Sequence, residues 1–263
     1  MLWQSPVSAR NWSSERVIDS VRVVGAGRAG RAIAARLAER GLDLEADEPA
    51  LVLLCVPDRA IAGVARELVP GPWVAHVSGA TPLAALDPHV RRFGVHPLQT
   101  LTVRRGPEQL DGAWAAVTAE SAEARAAGTW LAETLGLRPF GLDDDRRALY
   151  HAGAVVASNY LVALRRAAGS LLEAAGAPPE ALDPLMRRVI ENRFELTGPI
   201  ERGDWETVDR HLDAIRAGLP QLEDLYLTLA RHLQPRHATD CYAAAAGGGA
   251  GTPARPDASE VTT

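Results

Sequence analysis

Residues 17–30 read VIDSVRVVGAGRAG, and this stretch decides the fold. Residues 17–24 have the apolar, β-branched composition of a strand, and they lead directly into glycines at positions 25, 27 and 30. Apolar residues then recur at helical spacing, at Ala29, Ile33, Ala34 and Leu37. Gly41 supplies the left-handed cap that ends such a helix. The sequence therefore predicts a strand, a glycine turn and a helix in immediate succession.

The three glycines occupy the positions of the dinucleotide fingerprint GxGxxG. Gly25 permits the tight turn, Gly27 lets the backbone approach a pyrophosphate, and Gly30 lets the helix pack against the strand. The helix start at Arg28 and Ala29 offers unpaired amides to the phosphates. A glycine-rich turn without function is the alternative, but the flanking strand and helix favour a nucleotide site made by these five residues.

The segment after this helix is shorter than the usual pattern. Only residues 42–50 separate Gly41 from the next apolar run, which leaves room for a stub at 42–45 but not for a strand, a helix and another strand. Asp43 or Glu45 could reach a ribose, although a solvated loop is favoured. We therefore expect a shortened adenosine pocket, and the choice between NAD and NADP stays open.

Beyond the stub, short apolar runs such as residues 51–57 and 73–77 alternate with amphipathic segments up to residue 142, as in a parallel sheet whose strands are buried on both faces. From Asp143 the pattern is purely helical, and Asp204 is the predicted N-cap of the third of these helices. We predict an α/β Rossmann-like parallel sheet, shortened after the first βα unit and followed by an all-α C-terminal domain. The predicted domains are a polar N-terminal extension (1–16), a dinucleotide-binding domain (17–142), a helical substrate and dimerisation domain (143–234) and a disordered tail (235–263).

The composition excludes several classes of protein. With 263 residues, 47% apolar and 23% charged, the chain resembles an ordinary globular protein, and a net charge of -5 argues against a nucleic-acid partner. We find neither a membrane span nor a signal peptide and expect a cytoplasmic protein. Two cysteines can form neither a disulfide framework nor a four-ligand zinc site, so we expect no metal. All 28 basic residues are arginines, which excludes lysine chemistry.

The first long helix of the second domain carries polar residues in an apolar setting. Residues 152–164 are apolar on nearly every side, yet they include Ser158 and Asn159. His151 and Ser158 lie on the same helix face, with Asn159 beside it. A substrate pocket between the domains would explain these groups, and a satisfied network of helix packing is the alternative.

Six short motifs follow one another along the chain. They are GAGRAG (25–30), VPDRAI (56–61), HVSGA (76–80), VHPLQT (95–100), YHA (150–152) with SNYL (158–161), and LTGPI (196–200) with RGD (202–204). Together they resemble the Rossmann-like oxidoreductases whose C-terminal helical domain is of unknown function, and the resemblance covers residues 21–233. That family is similar in plan to ketopantoate reductase, pyrroline-carboxylate reductase and 6-phosphogluconate dehydrogenase.

The resemblance implies NAD or NADP as cofactor, with NADPH slightly preferred, and a 2-oxo acid or imine as substrate. By the same resemblance, Val56, Pro57, Asp58, Ser78 and Gly79 join the cofactor site. Ketopantoate reductases carry a lysine and two asparagines at four-residue intervals on the corresponding helix. Here that register falls on His151, Val155 and Asn159, so only the last is kept, while Thr197 resembles the serine of a later motif.

Hydride transfer to a carbonyl carbon leaves an alkoxide that must receive a proton, and a histidine can supply it. His151 is the first candidate and His96 the second, with Asn159 as the third catalytic residue. Gln99, Ser158 and Thr197 would bind the substrate by hydrogen bonds, and Arg202 would pair with its carboxylate. For each histidine a purely structural role is the alternative, and for Arg202 a surface ion pair.

We therefore predict an NAD(P)H-dependent oxidoreductase that reduces a small 2-oxo acid or a related carbonyl, as ketopantoate reductase does. An imine or pyrroline reductase is one alternative; a cofactor-sensing or structural dimer with a degenerate nucleotide site is another. Because residues 150–175 are apolar on almost every face, four helices cannot cover them, and we expect a homodimer with an isologous interface across the helical domain. The other expected partner is a small carboxylate substrate, with no nucleic acid and no membrane.

Overall fold

The structure is a computed structural model that describes residues 18–233. The predicted N-terminal extension (1–16) and the predicted disordered tail (235–263) lie outside the described residues. The described chain forms two compact units, divided between Asn159 and Tyr160. This division falls later in the chain than the predicted domain border at 142/143, because the first helix after that border packs with the first unit.

The first unit is built on a six-stranded sheet whose strands follow one another in chain order. The first four strands are parallel; β5 runs antiparallel to β4, and β6 is parallel to β5. The strands are β1 (Val21–Val24), β2 (Leu51–Leu54), β3 (Trp73–His76), β4 (Arg92–Pro97), β5 (Trp114–Thr118) and β6 (Arg138–Gly141).

Four helices belong to this unit, and they follow the glycine turn and the strands in alternation. They are α1 (Arg28–Glu39), α2 (Asp58–Glu67), α3 (Ala122–Thr134) and α4 (Arg147–Val155). Short 3₁₀ helices occupy Leu83–Leu86, Pro107–Leu110 and Asp144–Arg146. The α/β part of the predicted fold is confirmed, but the sheet is not parallel throughout. The exception is β5, which pairs antiparallel to β4.

The sheet has a helical layer on each face. Leu51 and Leu53 of β2 belong to one apolar core, which includes Ile33 and Leu37 of α1. Their neighbours in β2, Val52 and Leu54, belong to a second core, which includes Ile61 of α2. Because successive side chains of a strand point to opposite faces, a continuous apolar run such as residues 51–54 is what a doubly covered strand requires.

The predicted stub after α1 is confirmed. A single bridge pairs Asp43 with Ser20, so among the described residues β1 has β2 on one side and only this bridge on the other. The second strand of the usual nucleotide-binding sheet is therefore reduced to one paired residue.

The second unit is helical: α5 (Leu161–Ala174), α6 (Leu182–Glu191), α7 (Trp205–Gly218) and α8 (Glu223–Leu233). A π-helical turn, Val156–Tyr160, links α4 to α5, so the predicted continuous helix over 150–175 is interrupted. The predicted cap of α7 is confirmed, because the Asp204 side chain accepts a hydrogen bond from the Thr207 amide at 3.1 Å. Across residues 18–233, every helix is too short or too polar to cross a membrane.

Candidate functional site

The glycine turn has the geometry that its spacing predicts. Gly25 has φ +115°, and a Cβ built there would lie 2.4 Å from the carbonyl oxygen of Cys55. A Cβ on Gly30 would lie 1.8 Å from the carbonyl oxygen of Gly25, so α1 can pack this closely only with glycine. A Cβ on Gly27 would meet no described atom within 4 Å. The first and third glycines thus serve packing, while the second leaves an open approach to the backbone.

The start of α1 beside this opening is suited to a phosphate. Gly27 is the N-cap and offers no side chain to the first amides, and the first turn contains no acidic residue. The Arg31 side chain donates to the carbonyl of Ala26 at 2.9 Å and braces the turn from outside. The exposed amides and the positive end of the helix dipole therefore fit a bound pyrophosphate.

The acidic residues of the stub lie at the other end of the strand. Asp43 pairs with Ser20, about 13 Å before the end of β1 at the rise of an extended chain. Its carboxylate accepts from the amide of Glu45 at 2.9 Å, and both side chains are exposed. This placement favours the solvated-loop interpretation over a contact with a ribose.

The ends of β2 and β3 place further predicted residues at the same edge as the glycine turn. Val56, Pro57 and Asp58 follow β2, and Pro57 is the N-cap of α2. Ser78 follows β3, and its hydroxyl accepts from the amide of Thr81 at 3.0 Å and donates to the Thr81 hydroxyl at 2.8 Å. The Ser78 side chain thus shapes the loop that presents Gly79.

Gly79 brings the two candidate histidines together. A Cβ built on Gly79 would lie 2.6 Å from Cδ2 of His151 and 2.9 Å from Nε2 of His96. The two imidazole rings have centroids 6.0 Å apart at an interplanar angle of 77°. His96 comes from β4 and His151 from α4, so the loop after β3 must lack a side chain where the rings meet.

Tyr150 is a further member of this cluster, and the sequence analysis did not single it out. Its hydroxyl lies 2.7 Å from Nδ1 of His96. Burial, together with the neighbouring His151 and Arg147, lowers the pKa of His96 to about 4, while Asp58 acts in the opposite direction. Burial also raises the pKa of Tyr150 to about 12, against the effect of Arg147. Both members of the pair are therefore uncharged at neutral pH.

Arg147 is the second residue that sequence reasoning missed. Its side chain is 1% exposed, and it donates to the hydroxyl of Thr118 at 2.7 Å and to the carbonyl of Ser78. Asp144 lies 3.9 Å from its Nε and accepts from the amide of Leu83 at 3.0 Å. The guanidinium thus ties the first turn of α4 to the ends of β3 and β5.

His76 lies behind this arginine. It is fully buried, and neither ring nitrogen has a hydrogen-bond partner among the described residues. Burial and the charge of Arg147 together lower the pKa of His76 to about 3. Gly94 leaves the space that both need, since a Cβ there would lie 3.0 Å from Nη1 of Arg147 and 3.2 Å from Cε1 of His76.

The remaining predicted residues of the first unit are engaged locally or exposed. The Gln99 amide donates to the carbonyl of Gln109 at 3.1 Å, and its oxygen accepts from the amide of Thr100. The Ser158 hydroxyl donates to the carbonyl of Ala154, 2.6 Å away, within the π-helical turn. Asn159 is exposed. Neither the Gln99 nor the Ser158 side chain forms a hydrogen bond with His96 or His151.

Thr197 and Arg202 belong to the second unit, where both are exposed. The Arg202 amide donates to the carbonyl of Gly198 at 3.2 Å in a turn before α7. Their predicted contact with a substrate carboxylate stays a prediction, as does the predicted pocket between the two domains.

A signal for the missed residues was present in the sequence. Arg147, Tyr150 and His151 stand at positions i, i+3 and i+4 of one helix, so they share a face. Polar residues at this spacing in an otherwise apolar helix indicate a common polar neighbour, and here that neighbour is the edge formed by Ser78, Gly79 and His96.

One cavity lies away from this edge of the sheet. It has a volume of about 870 Å³ and is lined by residues such as Ser20, Arg22, Glu48 and Trp73. These residues flank the amino ends of β1, β2 and β3, whereas open α/β sheets bind their ligands beyond the carboxyl ends of the strands. The glycine turn and the histidine cluster are at the carboxyl edge.

Comparison with known proteins agrees with this description. Residues 113–233 match a family model described as a domain of unknown function, DUF2520. The matched region begins just before β5 and includes Arg147, Tyr150 and His151. No curated protein matches the chain.

Solved structures share the fold over most of the chain. BF3122 from Bacteroides fragilis, provisionally named an NADP oxidoreductase, has a TM-score of 0.70 and 22% identity, covering 82% of this chain and 99% of its own. TM1727 from Thermotoga maritima has a TM-score of 0.68 and 26% identity, covering 84% and 98%. The 1-pyrroline-5-carboxylate reductase of Streptococcus pyogenes has a TM-score of 0.54 and 17% identity, covering 81% and 98%.

The chain therefore has the Rossmann-like fold that structures of NAD(P) oxidoreductases share, followed by a helical C-terminal region. That region matches a domain whose function is not known. The predicted resemblance is confirmed in both respects.

Proposed function

We propose that this protein is an NAD(P)H-dependent oxidoreductase that reduces a small 2-oxo acid or a related carbonyl compound. The observation that carries the proposal is the position of the open glycine turn at the same sheet edge as the cluster of Gly79, His96 and His151. The fold of the solved structures supports it at the level of a nicotinamide-dependent oxidoreductase.

The residues at the carboxyl edge fit a dinucleotide. The backbone at Gly27 and the first amides of α1 would hold its pyrophosphate, and the loop of residues 56–58 lies beside them because Gly25 packs against Cys55. The bound cofactor would supply the hydride. What this chain contributes is binding, orientation and a proton for the oxygen that becomes negative.

His151 is the better candidate for the proton donor. It is half-buried beside Gly79, whereas His96 has its pKa lowered to about 4 and is neutral at pH 7. A neutral imidazole can donate a hydrogen bond, but it is a far weaker acid than an imidazolium. Asn159 and the remaining predicted substrate residues keep their proposed roles.

The first test is cofactor binding, measured by fluorescence titration with NADPH and NADH. The substitution Gly27→Val adds a side chain where no described atom lies within 4 Å, so it should leave the fold intact and weaken binding at least tenfold. Gly63→Ala, on an exposed turn of α2 with equally open surroundings, is the matched control. Equal binding by Gly27→Val and the natural chain would contradict the proposed site.

The second test is turnover of either nicotinamide with a panel of 2-oxo acids that includes ketopantoate. Oxidation of the reduced cofactor by one of these acids is the expected result. Binding without turnover of any carbonyl or imine would support a cofactor sensor instead, an alternative consistent with the reduced second strand.

An imine reductase is the second candidate function, and the neutral state of His76 and His96 favours it. His76 and His96 both have lowered pKa values beside the buried Arg147, so the site has few charged proton donors. Hydride transfer to an iminium carbon yields a neutral amine and needs no proton afterwards. His151→Ala should therefore reduce carbonyl turnover about 10²-fold but leave imine turnover nearly unchanged. Equal losses on both substrates would argue against this distinction.

A homodimer belongs to the same proposal. Large apolar side chains are exposed on the helices and the turn after α6, including Leu185 at 59%, Ile190 at 56% and Phe194 at 71%. Such a surface is unusual for a monomer and typical of an interface between copies. Light scattering at low micromolar concentration should report about twice the 28.0 kDa chain mass. A stable and fully active monomer would contradict this part.

A further inference from the structure

The proposed reaction leaves the buried Arg147 and the half-buried Tyr150 of α4 without a role. It uses His151 as a proton donor and the glycine turn as a cofactor site. Tyr150 and Arg147 share the helix face of His151 and make the contacts that join α4 to the sheet. Their positions affect the protonation of His96, which lies beside the loop of Gly79.

The direction of the hydrogen bond between Tyr150 and His96 follows from the chemistry of its two groups. Nδ1 of His96 and the Tyr150 hydroxyl are 2.7 Å apart, and either could donate. A phenol is a stronger donor than a neutral imidazole, and an imidazole nitrogen is a stronger acceptor than a phenol oxygen. Among the described residues, His96 is also the one hydrogen-bond partner of the Tyr150 hydroxyl. The arrangement that uses both groups best has the phenol donating.

We propose that Tyr150 is a positioning residue whose hydroxyl donates to Nδ1 of His96 and thereby places the imidazole proton on Nε2, against Gly79. Which nitrogen of a neutral histidine carries the proton is set by the hydrogen bond made at the other nitrogen. Nε2 is the ring atom that a Cβ on Gly79 would approach to 2.9 Å, so the proton lies on the side of the loop after β3.

Arg147 completes the arrangement from one helical turn earlier. Its bonds to Thr118 and to the Ser78 carbonyl anchor the start of α4, from which Tyr150 reaches His96. The positive charge of Arg147 also disfavours the addition of a second proton to the His96 ring. The groups that face His96 are His151, Tyr150 and Arg147 from α4, Asp58 from the start of α2 and His76 from β3. Of these only Asp58 favours the protonated ring, so His96 stays neutral.

A neutral histidine with its proton on Nε2 has a defined use. It donates a hydrogen bond to an oxygen that becomes negative, but it is too weak an acid to transfer its proton to a neighbouring group. His96 would thus bind the reacting oxygen while His151 delivers the proton. This role rests on the proposed function, whereas the tautomer of His96 does not.

The test of the tautomer is NMR of protein labelled with ¹⁵N-histidine, in which long-range correlations show which ring nitrogen carries the proton. The chain has seven histidines, and loss of one spin system in His96→Gln assigns the signal. The natural chain should show His96 with its proton on Nε2. Tyr150→Phe should convert this signal into a mixture of tautomers.

A second tyrosine–histidine pair supplies the matched control. His211 lies on α7 and Tyr226 on α8, and the Tyr226 hydroxyl is 2.8 Å from Nδ1 of His211. Tyr226→Phe therefore removes the same kind of hydrogen bond in the second unit. It should leave the His96 signal unchanged. A proton on Nδ1 of His96 in the natural chain, or an unchanged His96 signal in Tyr150→Phe, would overturn the proposal.

The contribution of Arg147 is tested by the pH at which the same NMR signal titrates. Arg147→Met should move the titration of His96 to higher pH, while Arg147→Lys, which keeps the charge, should move it less. Identical titrations in both variants and in the natural chain would refute the electrostatic part. If Arg147→Met does not fold, the lysine variant and Tyr150→Phe still decide the outcome.

Kinetics separates this inference from the proposed function. If the protein reduces a carbonyl, Tyr150→Phe should lower kcat about tenfold with KM little changed, and the acid limb of its pH profile should shift, because the tautomer is no longer held. If the tautomer is confirmed but no substrate is turned over, the proposed function fails and the positioning role of Tyr150 stands. An unchanged kcat and pH profile in an active enzyme would remove the catalytic role of His96 instead.

Discussion

Residues 18–233 contain two tyrosine–histidine pairs of nearly equal geometry in very different surroundings. Tyr150 and His96 are 2.7 Å apart with ring centroids at 5.5 Å, while Tyr226 and His211 are 2.8 Å apart with centroids at 6.0 Å. The first pair lies between α4 and the sheet. The second connects α7 and α8 at an exposed position.

The difference between the pairs lies in what surrounds them. His96 contacts a glycine loop and faces a second histidine and a buried arginine, and its pKa falls to about 4. The His211 side chain is exposed on a helix of the second unit. A hydrogen bond of the same length therefore makes a candidate site in one place and a surface contact in the other, because burial and neighbouring charge determine the chemistry of the ring.

The largest expected difference between the pairs is in turnover. His96→Ala should lower kcat of the proposed reductase about 10²-fold, because it removes a donor to the reacting oxygen. His211→Ala should leave kcat within about twofold, because it changes an exposed ring that has no part in the proposed reaction. Steady-state kinetics with the best carbonyl substrate measures both. Comparable losses in the two variants would erase the distinction.

The next largest effect should follow from filling the space beside the first pair. Gly79→Ala places a methyl group 2.6 Å from His151 and 2.9 Å from His96, so the rings or the loop must move, at a cost of about 1–3 kcal/mol in the free energy of unfolding. Gly63→Ala, in open space on α2, should instead stabilise the protein by about 0.5–1 kcal/mol. Urea denaturation measures both values. A neutral Gly79→Ala would show that the cluster is loosely packed.

A smaller effect is expected in the pH dependence of stability. The pKa of His96 is about 4 in the folded state against 6.5 for an ordinary histidine, so the unfolded chain binds more protons between these values. The stabilisation is complete above pH 6.5 and is lost as the pH falls towards 4. Between pH 7 and pH 5 the natural chain should lose about 2 kcal/mol more than His96→Gln.

Two features control this measurement. Between pH 9 and pH 8 the ring is almost wholly neutral in both states, so the natural chain and His96→Gln should show the same slope. His76→Gln should reduce the acid loss as well, because burial and Arg147 lower the pKa of His76 to about 3. An identical acid loss in all three proteins would show that neither ring is held neutral by the fold.

The smallest effect should appear in the coupling energies of the two pairs. A double-mutant cycle with Tyr150→Phe and His96→Gln should give about 1 kcal/mol, the net value of a partly buried hydrogen bond. The cycle with Tyr226→Phe and His211→Gln should give a few tenths of a kcal/mol, roughly as for exposed pairs. Thermal or urea denaturation supplies the free energies. Equal couplings would mean that burial does not strengthen the first pair.

Local patterns in the sequence predicted a large part of the fold. The glycine turn, α1 and the apolar strands 51–54 and 73–76 were predicted because their signals are short in range. A positive φ needs glycine, and a doubly buried strand needs consecutive apolar residues. The stub at Asp43 and the cap of α7 at Asp204 followed from chain length and from N-cap chemistry.

Other features needed the folded chain. The antiparallel direction of β5 depends on how the segment between residues 98 and 113 returns to the sheet, and no periodic pattern reports it. The interruption of the predicted helix at Val156–Tyr160 changes the register of hydrogen bonds without changing composition. Hydrophobic periodicity could therefore predict neither the direction of β5 nor the π-helical turn.

The sequence by itself predicted a glycine turn suited to a phosphate and named His96 and His151 as candidate proton donors. The tertiary structure alone decided that these histidines meet at Gly79, that Tyr150 bonds to His96, and that Arg147 is buried beneath them. The physical reason is range. Backbone conformation depends on a few neighbouring residues, whereas desolvation and charge depend on residues distant in sequence, which only the fold brings within a few ångströms.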